Sequence, residues 1–126
     1  MAGLMLISAQ RDAAAFLALV DHAGIHDAIL GFHAQQVAEK AIKSVLFGQG
    51  VMVPRTHNIA HLLLALDDAA IEAPPHADAV DSLNPYAVAA RYGALDAGEL
   101  DRAVTTVWVK DLLAWAELSS SSTGSP

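Results

Sequence analysis

The chain contains no cysteine. That excludes disulfide staples, thiolate nucleophiles and cysteine-ligated zinc, and it fits a reducing, cytoplasmic compartment. Aromatic residues are scarce at 6%, and charged residues make up only 17% of the 126 positions. Cations are fewest: 7 Lys and Arg stand against 14 Asp and Glu, a formal net charge of -7. A generally basic, nucleic-acid-coating surface is excluded, because attraction to phosphate needs positive charge. No run reaches the roughly 18 apolar residues that a membrane span needs. The apolar start, Met1 to Ser8, lacks a basic region, so neither a span nor a signal peptide is expected. No stretch alternates with period two for long enough to be a half-buried strand. The pair Gly48 and Gly50 follows a helix rather than a strand and lacks the lysine of a phosphate loop. No Ser or Thr stands in a nucleophile motif.

What is present is apolar and helical. Hydrophobic residues reach 54%, with Ala heavily used, a composition that packs helices rather than staying disordered. The length fits one domain with one core. Five helices are predicted, forming an all-α, up-and-down four- to five-helix bundle over residues 1–118, followed by a disordered Ser-rich tail at 119–126. The first helix is expected from about Ser8, as N-cap, to Ala23, with Phe16, Leu17, Leu19 and Val20 inward. The second spans Asp27 to Phe47, with an apolar stripe from Phe32 to Leu46. Its polar side carries Gln36, Glu39, Lys40 and Lys43, and Glu39 and Lys43 have the spacing of a surface ion pair. Thr56 is the expected N-cap of a third helix, Asn58 to Ala70. A fourth, His76 to Ala89, is kinked or split by Pro85. The fifth runs from Glu99 to Leu118, with Leu100, Val104, Val107, Leu112 and Trp115 inward.

The charges are unevenly placed. From Lys40 to Leu66 there is no acid, while Lys40, Lys43, Arg55, His57 and His61 all fall there. An acidic protein can hold one local anion site in this way. His57 and His61 are one helical turn apart and can share a metal, but no acid lies near in sequence as a third ligand, so no metal or cofactor is expected.

The run Phe32-His33-Ala34-Gln35-Gln36-Val37-Ala38-Glu39-Lys40 resembles the HEPN family, the higher eukaryotes and prokaryotes nucleotide-binding domain. The likeness continues through Gly50, Pro54, Thr56-His57 and Leu62-Leu63, and resumes at Leu83-Asn84-Pro85-Tyr86 and Arg91-Tyr92. The resemblance implies a cytoplasmic, prokaryotic-type homodimer that binds nucleotide or RNA. It also implies a small nucleotidyltransferase as partner, the two forming a toxin–antitoxin module. Gln36, Lys40, Lys43, His57, Tyr86, Arg91 and Tyr92 are the binding candidates. For Tyr86 and Tyr92 the alternative is a ring that caps the core, and for Arg91 it is an ion pair with Glu39. Many family members are metal-independent ribonucleases whose Arg is followed four to six residues later by a His, joined across the dimer. Arg55 and His61 fit that spacing and are the catalytic candidates. Arg would stabilise phosphate charge and His would move a proton. A third reading is a non-catalytic dimeric interaction module.

Overall fold

The computed structural model describes residues 1–91 and 98–123, the side chains of 91 and 121–123 excepted. Its elements are α1 (Ala2–Leu19), α2 (Asp27–Gly48), α3 (Ile59–Asp68), a 3-10 turn (Val80–Leu83), α4 (Asn84–Arg91) and α5 (Arg102–Thr123). There is no strand among the described residues. The fold is the all-α bundle expected from the periodicity.

α2 is the axis, packed against each of the other four helices. Its apolar stripe is used from Ala34 on, with Phe32 only half-buried: Leu30, Ala34, Val37, Ala38, Ala41, Ile42 and Leu46 are all 0% exposed. Around them lie Phe16 of α1, Ile59, Leu62 and Leu66 of α3, Leu83, and Leu112 of α5. Asp12 in α1 meets His33 and Lys40 in α2, and Gln10 meets Glu117 in α5. Asp27 and Arg102, which open α2 and α5, meet each other. α1 therefore runs against both, while α2 and α5 run the same way. The α3–α4 segment carries the chain back between them.

The end of α2 is set by local chemistry. Gly50 takes φ 72, and Val51 N–H bonds back to the Leu46 carbonyl at 3.0 Å. That is a left-handed glycine cap satisfying the last carbonyls. α3 ends in the same way on Ala70, φ 57, with Ile71 N–H on Leu66 O at 2.9 Å. Pro85 splits the fourth segment rather than kinking it: Asn84 closes the 3-10 turn and opens α4. Proline is suited there, because the first turn leaves its missing N–H without consequence.

Several expectations are corrected. α1 starts at Ala2, so Ser8 lies inside it rather than capping it. Asn58, not Thr56, caps α3 by accepting from Ala60 N–H at 2.9 Å; Thr56 Oγ1 accepts from Asn58 N–H one step earlier. The inward face of α5 is Thr105, Val109, Leu112 and Ala116. Thr105 can be buried because its hydroxyl donates to the Asp101 carbonyl, which leaves Val104 and Val107 exposed. α5 also continues through Ser119 to Thr123, into the expected tail, with Ser119 Oγ donating to Trp115 O. α1 does have the length and apolarity to cross a membrane, with mean hydropathy 1.2 over 18 residues, of which 17% are buried. It lies along α2, and its outer side shows Leu4, Ile7 and Leu17.

Candidate functional site

The polar residues of α2 form one continuous band along the helix. At one edge, Asp12 Oδ2 accepts from Lys40 Nζ at 2.7 Å, and Asp12 Oδ1 lies 3.0 Å from His33 Nδ1. In the middle, Gln36 Nε2 donates to Gln35 Oε1 at 2.7 Å. At the other edge Gln35, 0% exposed, donates through Nε2 to Glu39 Oε1 and to the His57 carbonyl. Gln35 thereby ties α2 to the segment that precedes α3. A buried amide is tolerable only when so satisfied.

Glu39 is the centre of this edge. Its carboxylate is buried yet receives Lys43 Nζ at 3.1 Å and His57 Nδ1 at 3.1 Å. The i, i+4 pair of Glu39 and Lys43 forms as expected, but it is not on the surface: the two side chains are 5% and 13% exposed. A buried carboxylate needs such partners to offset its lost hydration. His57 sits on top of it with its side chain 57% exposed. Nε2 of His57 has no hydrogen-bond partner among the described residues.

The segment around His57 is fixed from below. Asn84 Oδ1 accepts from Ile59 N–H at 3.0 Å, and Asn84 Nδ2 donates to Asn58 Oδ1 at 3.1 Å. Two asparagines thus hold the start of α3 against the start of α4. Between them opens a groove of about 340 Å³, lined by Arg55, Thr56, His57, Asn58, Asn84, Ala87 and Val88. Arg55 is exposed and has no ion pair or hydrogen bond among the described residues. The groove therefore offers one unneutralised guanidinium, one imidazole edge, a hydroxyl and two amides, with an apolar wall from α4.

The model of the HEPN domain family matches residues 6–117. The chain belongs to the HEPN family. The match takes in the whole α2 band and the groove, and it ties this HEPN chain to nucleotide- or RNA-related function in general. No curated protein and no solved structure matches it.

Within this HEPN domain the expected site residues separate. Arg55 and His57 line the groove. His61 is exposed, with Nδ1 3.3 Å from Thr56 Oγ1, and no hydrogen bond links it to Arg55 among the described residues. Lys40 and Lys43 each lie on a carboxylate, so their charge is largely offset. Gln36 belongs to the α2 band. Tyr86 is 5% exposed. Its ring lies so close to Gly31 that a Cβ there would fall 2.3 Å from Cδ1. Its hydroxyl donates to Gly98 O at 3.3 Å, and burial pushes the phenol's pKa up. Tyr86 thus packs as part of the core, with its hydroxyl tied to the Gly98 carbonyl. The Arg91 side chain and Tyr92 lie outside the described residues. Sequence reasoning missed Gln35, Glu39, Asn58 and Asn84 as site builders. The available signal was their place in the motif runs, Gln35 and Glu39 one turn apart and Asn84 just before Pro85.

Proposed function

We propose that this HEPN domain binds nucleotide or RNA at the groove between the Arg55–Asn58 segment and α4. The observation that carries this reading is Arg55, a guanidinium without a partner among the described residues, beside the outward edge of His57 in the longest stretch of the chain without acids. A guanidinium is suited to a phosphate because its donors match two oxygens at once. Lys43 lies behind Glu39 with its charge largely offset, and Gln36 and Lys40 lie further across the same α2 band. In the cell the domain serves as the partner of a small nucleotidyltransferase in a toxin–antitoxin-type module, in the cytoplasm and as a homodimer. The exposed apolar side chains Leu4, Ile7 and Leu17 of α1 are compatible with a second copy packing there.

The binding reading is tested by NMR titration of the isotope-labelled protein with a short oligouridylate. Amide shifts should cluster at Arg55, His57, Asn58 and Val88. Shifts confined to other helices, or none, would refute the groove. A ribonuclease reading has one observation in its favour: Arg55 and His61 are both exposed and flank one turn. There, Arg55→Ala and His61→Ala should each abolish cleavage of the oligomer without lowering the melting temperature; retained cleavage removes that reading.

A further inference from the structure

On the reading that the groove is the nucleotide site, we infer that His57 is its proton-linked phosphate contact, with Glu39 as the positioning residue that makes the linkage obligatory. The chemistry follows from donor and acceptor roles. The Glu39 carboxylate already accepts from Lys43 Nζ and from Gln35 Nε2. Gln35 is fixed in that sense, since its Nε2 also faces the His57 carbonyl, an acceptor, and its Oε1 receives Gln36. Glu39 therefore acts as an acceptor throughout, and the His57 nitrogen facing it, Nδ1 at 3.1 and 3.2 Å from the two oxygens, must be the donor.

A neutral imidazole carries one proton. With that proton held on Nδ1, neutral His57 presents a bare lone pair at Nε2. A phosphate oxygen is itself an acceptor and gains nothing from that edge. To donate to a phosphodiester, His57 must first take a second proton, from solvent, at Nε2. The neutral ring can instead accept from a hydroxyl or a base N–H. One side chain thus reads two ligand groups, and its protonation state selects between them. The charged groups packed around His57 are Glu39 and Lys43 of α2, Arg55 of its own segment, and His61 beyond Thr56 at the start of α3. The described wall from α4 is uncharged: Asn84, Ala87 and Val88.

A phosphodiester does not itself titrate near neutral pH, so oligouridylate isolates the protein's proton. Calorimetric titration of the full chain with oligouridylate, in two buffers of different ionisation enthalpy, counts the protons taken up. The expected result is uptake of up to about one proton, and an affinity that falls by up to about tenfold per pH unit once the free ring is neutral. In His57→Asn both effects should vanish while weaker, salt-sensitive binding through Arg55 remains. Nitrogen-15 NMR of the unliganded ring gives a readout independent of any variant: neutral His57 should be the Nδ1–H tautomer. Glu39→Met, which leaves no oxygen to accept from Nδ1, should release that tautomer. If this variant fails to fold, the wild-type spectrum alone decides, since an Nε2–H tautomer overturns the inference. Binding without proton uptake, or uptake that persists in His57→Asn, overturns it while leaving the groove as the nucleotide site. Absence of any binding between about pH 6 and 8 overturns both.

Discussion

Arg102 carries a prediction that separates the scaffold from the site. Its guanidinium donates to Asp27 Oδ1, to the Val20 and His22 carbonyls, each at 3.0 Å, and to the Ile25 carbonyl. One side chain thus ties the α1–α2 connection and the start of α2 to the start of α5. Replacing it with Ala removes every one of these bonds. A hydrogen bond to a charged partner contributes about 1.5–3 kcal/mol when its acceptor is left dry. Here Arg102 and Asp27 are 26% and 25% exposed, so water can reach the freed carbonyls and the loss per bond falls well below that. A net cost of about 2–4 kcal/mol follows. At this chain length each kcal/mol moves the melting temperature by roughly 3–4 °C, so Arg102→Ala should melt roughly 6–16 °C lower. Arg102→Lys keeps a charge near Asp27 but not the fork, and should recover less than half of the loss. Thermal and urea unfolding followed by circular dichroism measure both. A loss below about 1 kcal/mol for Ala, or a Lys variant as stable as the wild type, would refute the reasoning.

Three further outcomes are expected. The Asp27 carboxyl is held below its usual pKa, first by the Leu100 backbone N–H and then by Arg102, against partial desolvation. Its folded value being the lower one, it stabilises the fold fully above the unfolded carboxylate range and loses that contribution as pH falls through the folded value. The stability gap between wild type and Asp27→Asn, followed by urea titration, should therefore be flat near neutrality and close below about pH 4. Gly31→Ala places a Cβ 2.3, 2.4 and 2.6 Å from three carbons of the buried Tyr86 ring. The ring must shift, and urea unfolding should show a net loss of about 1–3 kcal/mol despite the better helix propensity of Ala; equal stability would contradict that contact. Ala70→Gly relieves the left-handed φ of 57 at the end of α3 and should raise stability by about 0.5–1 kcal/mol in the same assay.

The fold was legible wherever local pattern and burial agree. The stripe from Phe32 to Leu46, buried from Ala34 on, and the stop at Gly48 and Gly50 needed only helical spacing and turn chemistry. α5 misled because apolar residues lie on both of its sides and Thr105, nominally polar, is the buried one. The candidate site was legible in its position but not in its partners. The acid-free stretch pointed to Arg55 and His57, and both line the groove. Spacing could not show that Lys40 is matched by Asp12, 28 residues earlier and on another helix. Nor could it show that Glu39 is buried under His57, 18 residues on. Such long-range partners convert an apparent cationic face into a neutralised band, and they leave Arg55 as the exposed charge. Lys40→Glu is consequently a poor probe of binding, since it would set two carboxylates together between α1 and α2.

Arg55 marks the proposed nucleotide site. Fluorescence anisotropy of a labelled oligouridylate, titrated with wild type and Arg55→Ala across a range of salt, tests it directly. Arg55→Ala should bind about tenfold more weakly and lower the slope of log affinity against log salt by about one, with its melting temperature unchanged. Equal affinity and equal slope in the two proteins would contradict the claim.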